Sequence, residues 1–150
     1  TIIHNSYKSP DYVNCFKWEN LNSKEYQQVR DYYAGLIEFR KNHAILRLTT
    51  KDAVNQVLKG TEISDNFVLF DFKNNGCCNN EVAEEIVAIY NGNNVAKTVN
   101  VNEYVSGAGE WNVCVNGEKA GAEVLSVVKV ARNFNAHFFS SFNSSERYVC

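Results

Sequence analysis

A stripe of large apolar side chains between Asn22 and Asn42 sets the terms for the rest of this chain. Tyr26, Val29, Tyr33, Leu36, Ile37 and Arg40 recur at intervals of three and four, the spacing that lines one face of a helix. Tyr32 and Phe39 widen that face. Asn22 is placed to cap the first turn, and Glu25, three residues on, can bond back to it as in a capping box. About twenty residues in a helix make a rod roughly 30 Å long. An aromatic-rich face of that length needs a large apolar partner. The expectation is that it folds onto the rest of the chain or pairs with another copy.

The segments on either side differ in kind. Residues 1–21 show no sustained period, although Tyr7, Tyr12, Phe16 and Trp18 are large apolar groups. Irregular backbone of this composition runs over a surface and often borders a site, and His4, Asn5 and Tyr7 are the candidates there for contact with a polar ligand such as a sugar. Packing of the loop on itself explains the same residues equally well. After the helix, Ala44–Leu48 is a short apolar link. Thr49 or Thr50 then caps a shorter helical pattern through Leu58, with Gly60 as its stop.

From Asn66 the period changes to two. Phe67–Lys73, Glu85–Asn91, Val95–Val101, Glu110–Val115, Ala122–Val130 and Ala136–Phe142 read as strands. Val68-Leu-Phe70 and Ile86-Val-Ala-Ile-Tyr90 are apolar on both faces, as central strands would be. Asn91-Gly92 and Asn116-Gly117 fall between strand runs and predict hairpins. With a single proline in the chain, Asn and Gly must make the turns. The fold class that follows is mainly β, an antiparallel β-sandwich preceded by a loop and a long helix, with a division near residue 60.

The bulk properties exclude several functions. A net charge of −2 with no basic run argues against nucleic acid and anionic membrane as partners. No apolar stretch approaches the ~20 residues needed to span a bilayer, and no signal peptide is evident. The absence of Met makes Thr1 the start of a processed product or of a piece of something longer. Five cysteines, Cys15, Cys77, Cys78, Cys114 and Cys150, match neither a zinc pattern nor a CxxC pair. Cys77-Cys78 reads as a surface loop with two unpaired thiols rather than a metal site, because no His lies nearby. Unpaired thiols suit a reducing compartment, while composition leaves both a cytoplasmic and a secreted location open. Asn143-Ser-Ser145 is a formal glycosylation acceptor of little weight in so Asn-rich a chain.

Catalytic chemistry is missing from the pattern. Glycosidic hydrolysis needs two carboxyl groups facing one another across a bond, whereas Glu84 and Glu85 adjoin a strand start and point to opposite faces. Asp65, Asp71 and Glu110 stand alone at positions that fit solvated strands or loops. No GxSxG, P-loop, HExxH or dinucleotide fingerprint occurs. His4, His43 and His137 lie in three different elements; His43, at a helix end, fits a capping or dipole role. No catalytic residue, metal ligand or cofactor site is expected in these 150 residues.

A family resemblance joins these pieces. His4-Asn-Ser-Tyr7, Ser9-Pro-Asp11, Val13-Asn14 and Trp18 are similar to a stretch near the end of the catalytic barrel of type I pullulanases, starch-debranching enzymes of the α-amylase superfamily. Asp31-Tyr-Tyr33, Gly35-Leu-Ile37, Arg40-Lys41, His43 and Arg47 resemble the last long helix of that (β/α)8 barrel and the link leaving it. Ile86-Val-Ala-Ile-Tyr-Asn91 and Trp111-Asn-Val-Cys-Val-Asn-Gly-Glu-Lys-Ala-Gly121 resemble the C-terminal β-sandwich. The chain departs from the family at Ala44, where a proline is usual, at the aromatic Ala136-His-Phe-Phe139, and at Cys77-Cys78.

The resemblance implies an organisation and a function. Residues 1–48 would be the end of the catalytic barrel, 49–62 a connector with a short helix, and 63–150 the C-terminal sandwich. The parent would be a glycoside hydrolase cleaving α-1,6 branch linkages in pullulan, amylopectin or glycogen-type glucans. Its catalytic carboxylates would all precede Thr1, so none carries over, and His4, Asn5 and Tyr7 would border the glucan cleft. The partners implied are an α-glucan, through the parent, and the catalytic barrel of the same protein, with no cofactor. Two other readings remain. A stand-alone starch- or glycan-binding module would need Trp111 or Phe134 to face solvent, and the parity of Trp111 with Val113 and Val115 favours its burial. An immunoglobulin-like interaction domain accounts for the strands but not for the helix.

Overall fold

The computed structural model describes residues 5–100, 109–130, 135–138, 140–141 and 144–145. By internal contacts the chain divides into two units, residues 1–30 and 31–150.

The first unit is short turns with little buried. Pro10 precedes a single helical turn, α1 (Asp11–Asn14), and a 3-10 helix covers Trp18–Asn22. Asn14 Nδ2 donates to the carbonyls of Ser6 at 2.8 Å and Ser9 at 3.2 Å, which ties the loop to α1. Phe16 and Trp18 pair with ring centroids 4.5 Å apart.

Helix α2 (Lys24–Asn42) is the rod expected from the apolar stripe. Its start differs from the expectation. Asn22 belongs to the preceding 3-10 helix, and it is Ser23 whose hydroxyl donates to the Glu25 carboxylate. The carbonyl of Ser23 accepts the N–H of Gln27, so the first helical bond begins one residue later than the Asn22 box requires.

In the second unit α2 is buried by Gly35 and Phe39, with Tyr32 and Leu36 packed beside them. Tyr32 donates its hydroxyl to the carbonyl of Asn116 at 3.0 Å. A Cβ on Gly35 would lie 1.8 Å from the carbonyl oxygen of Ala120. The helix therefore seats on the turn around Asn116–Ala120 through a notch that only glycine permits. Tyr33 and Ile37, on the opposite side, remain exposed at 63% and 56%. The stripe read from the sequence is thus divided: Tyr32, Leu36 and Phe39 turn to the core, while Tyr26, Val29, Tyr33 and Ile37 form an uncovered face.

A 3-10 helix (Ala44–Arg47) leads to α3 (Lys51–Val57), capped as expected by Thr50, whose Oγ1 accepts from the N–H of Ala53 at 3.2 Å. The helix stops at Val57. Leu58 opens β1 (Leu58–Ser64), a strand not anticipated, and Gly60 lies at an irregularity in its pairing rather than at a helix end. Pairing with β2 (Phe67–Lys73) outweighs the local helical pattern. The two join through Asp65-Asn66, where Asn66 takes φ 51° and supplies the left-handed turn.

β2 pairs antiparallel with β3 (Glu85–Asn91), so the sheet runs β1-β2-β3. Both strands have the boundaries expected from their period. In β3, Ile86, Val87, Ala88 and Ile89 are buried in succession, which matches its two-sided apolar pattern. Ile86 joins Phe39, Ile45, Val57, Cys78, Cys114 and Val115 in one core.

The Asn91-Gly92 hairpin does not form. Asn91 is buried; its Nδ2 donates to the Val95 carbonyl at 3.1 Å, and its Oδ1 accepts from the Asn93 N–H at 3.1 Å. These bonds carry the chain outward, and β4 (Lys97–Asn100) pairs instead with β7 (Asn135–Phe138). Lys97 Nζ stands 4.1 Å over the ring of buried Phe67 and 3.4 Å from Glu62. β5 (Gly109–Val113) pairs with β6 (Ser126–Val130), and β8 (Ser140–Ser141) with β9 (Ser144–Ser145). The Asn116-Gly117 turn forms: Asn116 Oδ1 accepts the N–H groups of Glu118 and Lys119, both at 2.8 Å, beneath a Val115–Ala120 bridge. All pairings among the described residues are antiparallel. Val101, Phe134, Phe139, Phe142 and the Asn143 acceptor lie outside the described residues. No described helix is long and apolar enough to cross a membrane.

Candidate functional site

Of the three residues singled out for ligand contact, His4 lies outside the described residues. Asn5 and Tyr7 are brought together by a local turn, with Asn5 Oδ1 accepting the backbone N–H of Tyr7 at 3.2 Å. Tyr7 is 87% exposed. Its ring is presented outward, and the Asn5 carbonyl is engaged in shaping the turn.

The acidic residues differ in how far they are enclosed. Glu84 is exposed and Glu85 half-buried, with the Glu85 carboxylate 3.5 Å from Lys73 Nζ. Asp71 corrects the sequence reading: it is not solvated but 1% exposed, on the same face of β2 as the buried Phe67 and Leu69. Lys73 Nζ approaches its Oδ2 to 3.4 Å, yet neither carboxylate oxygen has a hydrogen-bond partner. Burial pushes the Asp71 pKa up to about 7, the Glu85 carboxylate adds to the rise, and Lys73 opposes it. A carboxyl group so enclosed cannot reach a substrate.

Glu81 was not singled out in the sequence. Its side chain is fully buried and receives three donors: His43 Nδ1 at 2.8 Å, the Ile45 N–H at 3.1 Å and the Ala83 N–H at 2.9 Å. Burial alone would raise its pKa, but the Ala83, His43 and Ile45 donors outweigh that and hold the carboxylate below its ordinary value. His43 also lies against Phe39, with ring centroids 4.2 Å apart. It fastens the end of α2 to the loop before β3, a more specific role than the helix-dipole one expected. Only the fold brings Glu81 to His43, so no local pattern reveals the pair.

The adjacent cysteines divide. Cys77 is exposed, as the surface-loop reading expects, but Cys78 is buried in the core, where desolvation raises its thiol pKa. No group of three or more His, Cys, Asp or Glu suited to a metal occurs among the described residues.

One cleft in the second unit gathers polar and aromatic groups. It has a volume of about 640 Å3 and includes Asn42, His43, Glu84, Glu110, Trp111 and Asn112 in its lining. Trp111 is half-buried there, against the expectation that it would be enclosed with its strand partners. Val113 and Val115 are indeed buried, but Trp111 lies nearer the outer end of β5, where the row emerges at the cleft.

No protein-family model matches the chain. Among solved structures it is similar to the pullulanase from Bacillus acidopullulyticus, with a TM-score of 0.72 and 28% sequence identity, covering 96% of this chain and 16% of that one. The chain therefore has a pullulanase-like fold and spans about a sixth of the length of that enzyme.

Proposed function

We propose that this chain is the C-terminal part of a pullulanase-type glycoside hydrolase, one that cleaves α-1,6 branch linkages in pullulan, amylopectin or glycogen-type glucans. The observation that carries the reading is the uncovered face of α2. Tyr26, Val29, Tyr33 and Ile37 follow helical spacing and are 54%, 57%, 63% and 56% exposed. A row of that size left in water marks a missing partner. The likeness to a sixth of a pullulanase is in keeping with a longer parent, and in this reading the partner is the catalytic barrel of the same protein.

In this reading residues 1–48 complete the barrel, 49–62 connect, and 63–150 form the antiparallel sandwich that braces it. The role of the 150 residues is structural, and the catalytic carboxylates are supplied by the rest of the parent. His4, Asn5 and Tyr7 would then border the glucan cleft; in the parent enzyme Tyr7→Ala should weaken glucan affinity, and unchanged affinity rejects that placement. The decisive experiment compares the product of the whole reading frame with the 150-residue chain on pullulan. Reducing sugar should appear with the former and not with the latter. A whole product that leaves pullulan intact, or an isolated chain that cleaves it, refutes the proposal.

A further inference from the structure

We propose that the cleft beside β5 is a glucan-holding site separate from catalysis, with Trp111 as its platform. The proposal builds on the glycoside-hydrolase reading and adds to it a site on the bracing domain itself. Three features of the lining point to a neutral, hydroxyl-rich ligand.

First, an indole ring half out of solvent offers a flat apolar surface, which matches the C–H face of a pyranose ring. Second, the lining includes amides and carboxylates, Asn42, Asn112, Glu84 and Glu110, alongside the apolar Val82 and Val124. Each amide presents a donor and an acceptor together, and a carboxylate accepts from two neighbouring hydroxyls. Third, the lining is acidic rather than basic. Among the described residues the lining holds no Lys or Arg, so phosphorylated and other anionic ligands are disfavoured. Yet the acidic members do not add up to a cation site, because Glu85 is matched by Lys73 at 3.5 Å and Glu110 by Lys129 at 3.3 Å. The volume of about 640 Å3 falls within the ~300–1,000 Å3 typical of small-ligand clefts.

The His43–Glu81 pair holds one wall, since His43 lines the cleft while anchored to a buried carboxylate. The cleft is thus borne on fixed elements, the end of α2 and β5, as a preorganised binding site requires.

The test uses the two tryptophans of the chain, Trp18 and Trp111. In a Trp18→Phe background the indole emission reports Trp111 alone. Titration with maltotriose should give a saturable change, and the protein should be retarded in an amylopectin affinity gel. Trp111→Ala should lose the retardation, and Asn112→Ala, at an exposed position, should weaken binding about tenfold or more. Thermal melts establish that each variant is folded; if Trp111→Ala is not, the Asn112→Ala result decides. No saturation by maltotriose, or retardation unaffected by Asn112→Ala, overturns the proposal. The two readings fail separately. A parent that cleaves pullulan while this chain ignores maltotriose removes the cleft alone. A chain that binds maltotriose within a parent inert toward pullulan removes the hydrolase reading alone.

Discussion

Replacing Gly35 by alanine sets two effects of opposite sign against each other, and their magnitudes decide the outcome. Within a helix the change to alanine is worth about 1 kcal/mol of added stability. Here the new Cβ would fall 1.8 Å from the Ala120 oxygen, 2.4 Å from its carbonyl carbon and 3.2 Å from the Gly121 nitrogen. All three are backbone atoms, so no side chain can swing aside. The helix and the turn must separate by over about 1 Å to restore contact distance. Forced overpacking of this kind costs about 1–3 kcal/mol. Separation also stretches the Tyr32–Asn116 bond, worth about 1 kcal/mol, and loosens Leu36 and Phe39 in the core. We expect a net loss of roughly 1–3 kcal/mol. At about 2–4 °C per kcal/mol for a domain of this size, the melting temperature should fall by about 5 °C. Circular dichroism melts measure this directly. Gly121→Ala is the control, because its Cβ would meet nothing closer than 3.9 Å, and it should melt with the unaltered chain. A Gly35→Ala protein that melts as high as the unaltered chain would show that the notch does not hold the helix.

Three further outcomes are expected. The folded pKa of Asp71, about 7, lies above its ordinary 3.8, so its contribution to stability is fully present below about pH 4 and is lost as pH rises toward 7; Asp71→Asn should flatten that slope in urea titrations, and an unchanged slope refutes the assignment. Glu81→Ala leaves the Ile45 and Ala83 N–H groups and His43 without their acceptor, at a cost of about 3 kcal/mol; the Ile45 and Ala83 amides should exchange with deuterium faster, and retained protection would mean that the clamp is incidental. Tyr33→Ser with Ile37→Ser should alter the isolated chain by less than about 0.5 kcal/mol per site, because both side chains are exposed, yet lower the melting temperature of the parent enzyme; no change in the parent argues against a barrel on that face.

The sequence was most legible where one physical term dominated. β2 and β3 carry dense apolar runs, and their limits could be read directly because every position from Ile86 to Ile89 is buried. The pattern failed where local and long-range terms competed. Leu58-Lys-Gly-Thr61 looks like a helix end, but a partner strand recruits it into β1. Asn91-Gly92 has hairpin chemistry, but the Asn91 side chain binds the following loop, and the next described strand, β4, pairs with β7 instead. In α2 the apolar pattern did not separate the core residues Leu36 and Phe39 from the exposed Tyr33 and Ile37, since the buried Gly35 that seats the helix leaves no apolar mark. The site was less legible still. Asp71 interrupts an apolar run, where a charged residue suggests solvent, and the His43–Glu81 clamp joins positions that only tertiary folding brings together. Trp111 obeyed its parity only as far as its strand stayed covered.

The loops that hold their own asparagines also set how the molecule ages. An asparagine before glycine deamidates when the next backbone nitrogen attacks its side-chain carbonyl, and the chain has three such pairs: Asn75-Gly76, Asn91-Gly92 and Asn116-Gly117. The Asn91 side chain is enclosed and bonded within its loop, and that of Asn116 is pinned by two N–H groups. Asn75 is exposed and has a left-handed backbone at φ 44°. Chemical wear on standing should therefore begin at Asn75, beside the Cys77-Cys78 pair, and peptide mapping of stored protein would find isoaspartate there before either of the other two turns.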